Sequence, residues 1–229
     1  MRKQPDYTRL LVAMGLAAVA GSLDGYTYLT QGQVFAGLQT GNLILLGIHF
    51  GAGQWQAAWH YVTPLVMFGL GTLIARLIQH RYPKTARWTR SSVMLAYELG
   101  LILLAGALAT LTHLPWVTGL LSMVAGTQLQ EFRELRGKPF TPLMMTGNLR
   151  TFVEALYDLW IRKDHSAKLR VINMGGVLLG FLAGVALAGA LQPLLQQATI
   201  FLTAGLVVLV LVAGHLPRMR QPRQADRVH

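Results

Sequence analysis

The sequence predicts an all-α, polytopic membrane protein of six spans plus two re-entrant broken segments, arranged as two inverted repeats. Three observations predict it. Of 229 residues, 53% are hydrophobic and 13% charged, against about 25% charged in a soluble domain. The apolar residues fall in runs that approach the ~20 residues of a bilayer span. The motif Thr-Gly-Asn-Leu occurs at 40–43 and again at 146–149, in similar surroundings.

Spans are expected at 10–30, 61–79, 91–112, 114–130, 171–191 and 197–216. Ala18-Val19-Ala20-Gly21 resembles a signal-peptide cleavage site, but the apolar run continues through Tyr26, Tyr28 and Leu29, so an uncleaved first span is expected. The whole chain reads as one membrane domain. Repeat one covers about 9–112, repeat two about 114–216, and a basic cytoplasmic tail fills 217–229.

Formal net charge is +11, from 20 Lys and Arg against 9 Asp and Glu. The basic residues concentrate in a few loops and at the termini, the mark of cytoplasmic segments, and not in a nucleic-acid-binding face. Arg2, Lys3 and Arg9 put the N-terminus inside. Arg76, Arg81, Lys84, Arg87 and Arg90 place one loop inside, and so do Arg133, Arg136 and Lys138 for another. Arg162, Lys163, Lys168 and Arg170 mark a third, and Arg218, Arg220, Arg223 and Arg227 the tail. Stretches 31–39 and 51–59, the turn at His113 and Pro115, and Gln192-Pro193 carry no Lys or Arg and read as outside. Segments 34–51 and 139–160 then have both flanks on one face, which defines re-entrance; eight full spans is the competing count. The expected location is a bacterial cytoplasmic membrane, with both termini cytoplasmic and the lipid bilayer as partner. The absence of Cys removes disulfides, thiolate metal sites and cysteine nucleophiles.

The repeat extends beyond one motif. Ala20-Gly21-Ser22-Leu23-Asp24, Val34-Phe35 and Thr40-Gly41-Asn42-Leu43 recur as Ala125-Gly126-Thr127-Gln128-Leu129, Pro139-Phe140 and Thr146-Gly147-Asn148-Leu149. A Gly-rich span follows each, with Phe68-Gly69-Leu70-Gly71 and Gly180-Phe181-Leu182-Ala183-Gly184. Three spans per half reverse the second half. In inverted-repeat folds, interrupted segments at matching positions mark a midplane site.

The Ala-Gly-x-x-Asp of the first span, both Thr-Gly-Asn motifs and the Gly-x-Gln of 126–128 resemble the YoaK-like family of bacterial membrane proteins, over about residues 9–216. The resemblance implies a bacterial cytoplasmic-membrane protein and names no activity. Family members often carry Gly-x-Gln-Asn in the second half; here Leu129 stands in place of the Asn and Gln130 follows.

Each Thr-Gly-Asn is read as a turn before a helix, where Asn caps and free N–H groups face the break. Two such turns at a pseudo-two-fold axis suit an anion, a carboxylate or a small neutral polar solute. The expected substrate-binding set is Asp24, Thr40, Gly41, Asn42, Gln128, Thr146, Gly147 and Asn148. Asp24 and Glu98 are intramembrane carboxylates, candidates for proton coupling. Arg150, Glu154, Asp158 and Arg162 form an i,i+4 stripe. His49 and His60 read as interfacial residues, not a metal pair. Gly176, Gly180 and Gly184 indicate close helix packing, and Trp55, Trp59, Trp88, Trp116 and Trp160 an aromatic belt. No phosphate loop, zincin or nucleophile-elbow motif is present, so no enzyme, cofactor or metal is expected. The leading expectation is a small-solute secondary transporter, proton-coupled through Asp24 or Glu98, with a homo-oligomer allowed. The alternatives are a passive channel and a membrane-embedded enzyme or lipid-interacting protein, the last with Asp24, Glu98 or Glu131 as acid or base.

Overall fold

The computed structural model describes residues 6–81, 87–111, 115–135, 138–139 and 141–215, with side chains except at 6–9, 87–89, 110–111, 134–135, 138–139 and 215. The tail 217–229, Arg2, Lys3, Lys84, His113, Arg136 and Phe140 lie outside the described residues, as do the side chains of Arg9, Arg87, Trp88, Lys138 and Pro139.

The described chain is helical: α1 (Asp6–Thr30), α2 (Gln39–Gly51), α3 (Trp55–Arg81), α4 (Arg87–Leu111), α5 (Pro115–Glu131), α6 (Met145–Trp160), α7 (Lys168–Leu195) and α8 (Ile200–His215). A two-residue strand pair, β1 (Glu134–Leu135) with β2 (Lys138–Pro139), lies between α5 and α6. Among the described residues, four stretches are long and apolar enough to cross a membrane: 10–30, 55–81, 90–109 and 165–214. The last contains both α7 and α8, joined by a 3-10 turn at Gln196–Thr199. α5, at 17 residues, is shorter than these. The expected re-entrant segments each hold a short helix, α2 of 13 residues and α6 of 16, roughly 20 and 24 Å long against about 30 Å of hydrocarbon.

Helix pairing crosses between the halves. α1 packs on α7, and α3 on α5. A Cβ on Gly21 would collide with the Phe181 carbonyl oxygen, and one on Gly184 with that of Ala18. In the other pair, Gly126 sits on the Phe68 carbonyl oxygen and Gly71 on that of Met123. These are the same contact made twice, since Gly21 matches Gly126 and Gly184 matches Gly71. Between helices in lipid, small residues of this kind permit the backbone approach that dispersion needs. The remaining pairs exchange in the same way: α1 on α8 answers α5 on α4, and α2 on α3 answers α6 on α7.

The main core is a four-helix group. Leu16, Val19 and Leu23 of α1 meet Leu95 and Ile102 of α4, Leu121 and Val124 of α5, and Val207 of α8. One end of the bundle is basic. There Glu131 meets Arg90, Gln79 meets Gln130, and Gly176 meets Leu10. The opposite end carries His49, His60 and three outward tryptophans, Trp55, Trp59 and Trp116, all more than half exposed. Trp160 is outward at the basic end.

Both short helices return to the end from which their segment departs. α1 finishes and α3 starts at the same end, where His60 Nε2 donates to the Gln31 carbonyl oxygen at 3.0 Å. Gly32 has φ +77°, and a Cβ there would meet His60 Nε2 at 2.9 Å, so this tight reversal requires glycine. α5 ends at the basic end, where α7 begins. The α6 stripe pairs as expected, with Arg150–Glu154 at 3.4 Å and Arg162–Asp158 at 3.6 Å, and Asp158 also takes Arg170 at 2.7 Å. Between α6 and α7, Asp164 caps a 3-10 turn, and bonding from Ser166 holds its carboxyl below the usual carboxylate range.

Replacing Gly184 or Gly126 with Leu forces two backbones apart and is expected to cost about 3 kcal/mol or more. Gly69→Ala, with nothing within 4 Å of its Cβ position inside α3, is expected to be neutral or to stabilise by up to about 1 kcal/mol. Thermal unfolding of purified protein in detergent, followed by size-exclusion profile, separates the two outcomes.

Candidate functional site

Residues 31–38 run back from the end of α1 towards the bundle interior without regular structure. Their amide groups need partners, because unpaired backbone is not tolerated away from water. Side chains supply them. Asn42 Oδ1 accepts from Phe35 N–H at 3.0 Å, and Thr27 Oγ1 from Ala36 N–H at 3.1 Å. Asp24 Oδ1 accepts from Gly37 N–H at 2.6 Å and Leu38 N–H at 3.3 Å. Asn42 Nδ2 also donates to the Phe35 carbonyl at 2.7 Å and to Gln39 Oε1 at 2.9 Å. Asp24 lies six residues before the end of α1, so the segment reaches about 9 Å inward.

The second half repeats the device with different chemistry. Asn148 Nδ2 donates to the Thr141 carbonyl at 2.9 Å, again seven residues back. Pro142 stands where the first half has Ala36, and a proline has no N–H to satisfy. Leu129 stands where the first half has Asp24, and packs with Ala20, Ala125, Leu143, Phe68 and Phe181 in an apolar cluster.

The two extended segments touch. A Cβ on Gly37 would meet Leu143 Cδ2 at 2.5 Å and the two Asp24 carboxyl oxygens at 3.5 Å. Gly37 and Leu143 hold matching places in the repeat, so the halves cross at this contact. The crossing is closed and largely apolar, with Asp24 on its margin, 7% exposed.

The Thr-Gly-Asn residues do not form the break, contrary to expectation. They lie inside the first turn of α2 and α6, which begin at Gln39 and Met145. Nor do the asparagines cap. The N-cap positions are Leu38 and Met144, with no side-chain cap, because each Asn side chain turns back along its own hairpin. Thr40, Thr146 and Gly147 are exposed, Gly41 is partly covered by the Phe35 ring, and Asn42 and Asn148 are buried. A family model described as protein of unknown function DUF1275 matches residues 12–213. The chain belongs to the DUF1275 family. It is also similar to the UPF0700 transmembrane protein YoaK of Bacillus subtilis (strain 168), 26% identical over 168 residues, covering 72% of this chain and 74% of that protein. No solved structure matches it. Long apolar helices and a transmembrane relative make it an integral membrane protein.

Other polar residues of this DUF1275 chain lie away from the crossing. Gln128 sits on α5 and donates through Nε2 to the Leu16 carbonyl at 3.3 Å. Glu131 is buried at the basic end, taking Arg90 Nε at 3.0 Å, Ser91 Oγ at 2.8 Å and Gln79 Nε2 at 3.0 Å. Gln130 donates to Gln79 Oε1 at 3.0 Å, so it serves the α3–α5 contact. Glu98 is fully buried in the α1, α4, α5 and α8 core. His49 stacks on Tyr61 and pairs with Gln54 at 2.5 Å. Among the described residues no group of three His, Cys, Asp or Glu is placed to hold a metal.

Sequence reasoning passed over Thr27, Gly37 and Leu143. Thr27 had a legible signal, three residues beyond Asp24 on the same helix face. Gly37 and Leu143 had none, because their pairing exists only once the halves cross.

The two motif glycines are expected to behave oppositely. Gly147→Ala meets nothing within 4 Å and should stabilise by up to about 1 kcal/mol through helix propensity. Gly41→Ala pushes on the Phe35 ring, 2.9 Å from the new Cβ, and should gain nothing or lose stability. Asn42→Ala strands both polar groups of Phe35 and should cost about 2–4 kcal/mol. Thermal midpoints of the three variants in one detergent give the order directly.

Proposed function

We propose that the protein is a secondary transporter of a small polar solute, with its site where the two extended segments cross. The halves are read as inverted repeats, with the basic end and both termini cytoplasmic in a bacterial membrane. The contact of Gly37 with Leu143 beside the Asp24 carboxyl carries the reading. Paired interrupted segments that converge within a bundle are the plan of secondary transporters. α1 and α5 enter the bundle from opposite ends, which supports inversion. So does the exchange of helix pairs between halves.

Asp24 and the backbone of Gly37 and Leu38 are the polar groups at the crossing, with Leu143 closing it from the other half. The asparagines serve as scaffold, holding each segment at the depth where the two can meet. Substrate access requires Leu143 and Gly37 to part. The packed pairs α1–α7 and α3–α5 are the bodies that would move, since each joins one half to the other.

Uptake of labelled glycine, lactate and acetate into proteoliposomes tests the proposal, with empty liposomes as reference. Uptake above reference by at least one solute is expected, falling at least tenfold in Asp24→Asn and in Gly37→Leu, with Gly47→Ala at wild-type level. Uptake that both site variants leave intact would overturn the location of the site. A panel that never rises above empty liposomes counts against transport of these solute classes.

A further inference from the structure

Two carboxyl groups lie within the helical bundle, and they are held differently. Asp24 accepts two backbone N–H bonds. Glu98 is 0% exposed, and neither of its carboxyl oxygens has a hydrogen-bond partner. Its neighbours along α4 are Leu95 and Ile102, and it faces the apolar core shared with α1, α5 and α8. An isolated ionised carboxylate is not sustained in such surroundings; it takes up a proton.

Polar residues of α4 and α5 run inward from the basic end. Ser91 of α4 bonds Glu131 of α5, which fixes the register of the two antiparallel helices. Glu98 lies two turns inward from Ser91. Gln128 lies one turn inward from Glu131 and leaves its own Oε1 without a partner. The series therefore rises from Arg90, Ser91 and Glu131 through Gln128 towards Glu98.

We infer that Glu98 is a proton-binding site reached from the basic end along Glu131 and Gln128, and that Glu98, not Asp24, carries the coupling proton. The coupling role rests on the transport reading; proton binding does not. The step is a proton transfer alone. A proton leaves water at the basic end, adds to a Glu98 oxygen, and returns to water when the core opens. The charged and titratable groups facing this core are Arg90 and Tyr97 on α4, Glu131 on α5, and Tyr26 on α1; Asp24 lies on the neighbouring face of α1 against Gly37, and residues 200–214 of α8 contain none.

Infrared absorption of the protein in lipid vesicles reads the protonated carboxyl directly. At neutral pH the wild type is expected to show a carboxylic-acid carbonyl band that vanishes in Glu98→Gln and persists in Asp24→Asn. Gln128→Leu should shift its frequency. A wild-type spectrum matching that of Glu98→Gln would overturn the proton site, and so would a band governed by sodium instead of pH. In proteoliposomes, stimulation of uptake by a pH gradient should be lost in Glu98→Gln; its survival would overturn the coupling role. If no solute of the panel is taken up by any form, transport of these solute classes fails while the infrared result still decides the proton site.

Discussion

The close approach of glycine to carbonyl between α1 and α7, and again between α5 and α3, is the constraint on which the rest depends. Lipid offers no hydrophobic gain for helix association, so surface fit has to supply it. Here the fit is made by Gly21 and Gly184 in one pair and by Gly126 and Gly71 in the other. Both pairs join one half of the chain to the other. With these two contacts fixed, α2 and α6 are carried on α3 and α7, and the extended segments before them are aimed at each other.

Those extended segments pose one problem, amide groups without a ladder, and the halves solve it differently. The first half answers with side chains from α1 and α2: Asp24, Thr27 and Asn42. The second half lowers the demand, placing Pro142 where an N–H would need a partner, and fills the position matching Asp24 with Leu129. The crossing is accordingly lopsided in chemistry though near-symmetric in shape, with a carboxyl on one side and a leucine on the other. Glu98 belongs to a separate polar track, isolated from the crossing by the apolar core around Leu16, Val19 and Val124.

Much of the architecture was legible in the sequence because bilayer physics is one-dimensional. Apolar run lengths located the long helices to within a few residues, and the short segments expected at 34–51 and 139–160 hold the short helices α2 and α6. In both halves the Thr-Gly-Asn motif falls in the first turn of a short helix. The partnership of these elements was not legible. Gly21 reads as a packing residue, but nothing local says that its partner is Phe181 of the other half. The Thr-Gly-Asn motif was legible as a landmark and misread in role, because capping is inferred from residues just ahead of a helix. The bond from Asn42 to Phe35 spans seven residues and depends on a hairpin that sequence spacing alone does not reveal.

The crossed pairing also sets terms for how the chain is made. Gly21 of α1 waits for Phe181 of α7, roughly 160 residues later, which at synthesis rates of 5–20 residues per second is roughly 10–30 s of translation. Through that interval the glycine face of α1 is without its α7 partner, while residues 37–38 already follow to meet Asp24. The α1–α7 contact therefore closes after the α3–α5 contact, whose two helices are complete by residue 131.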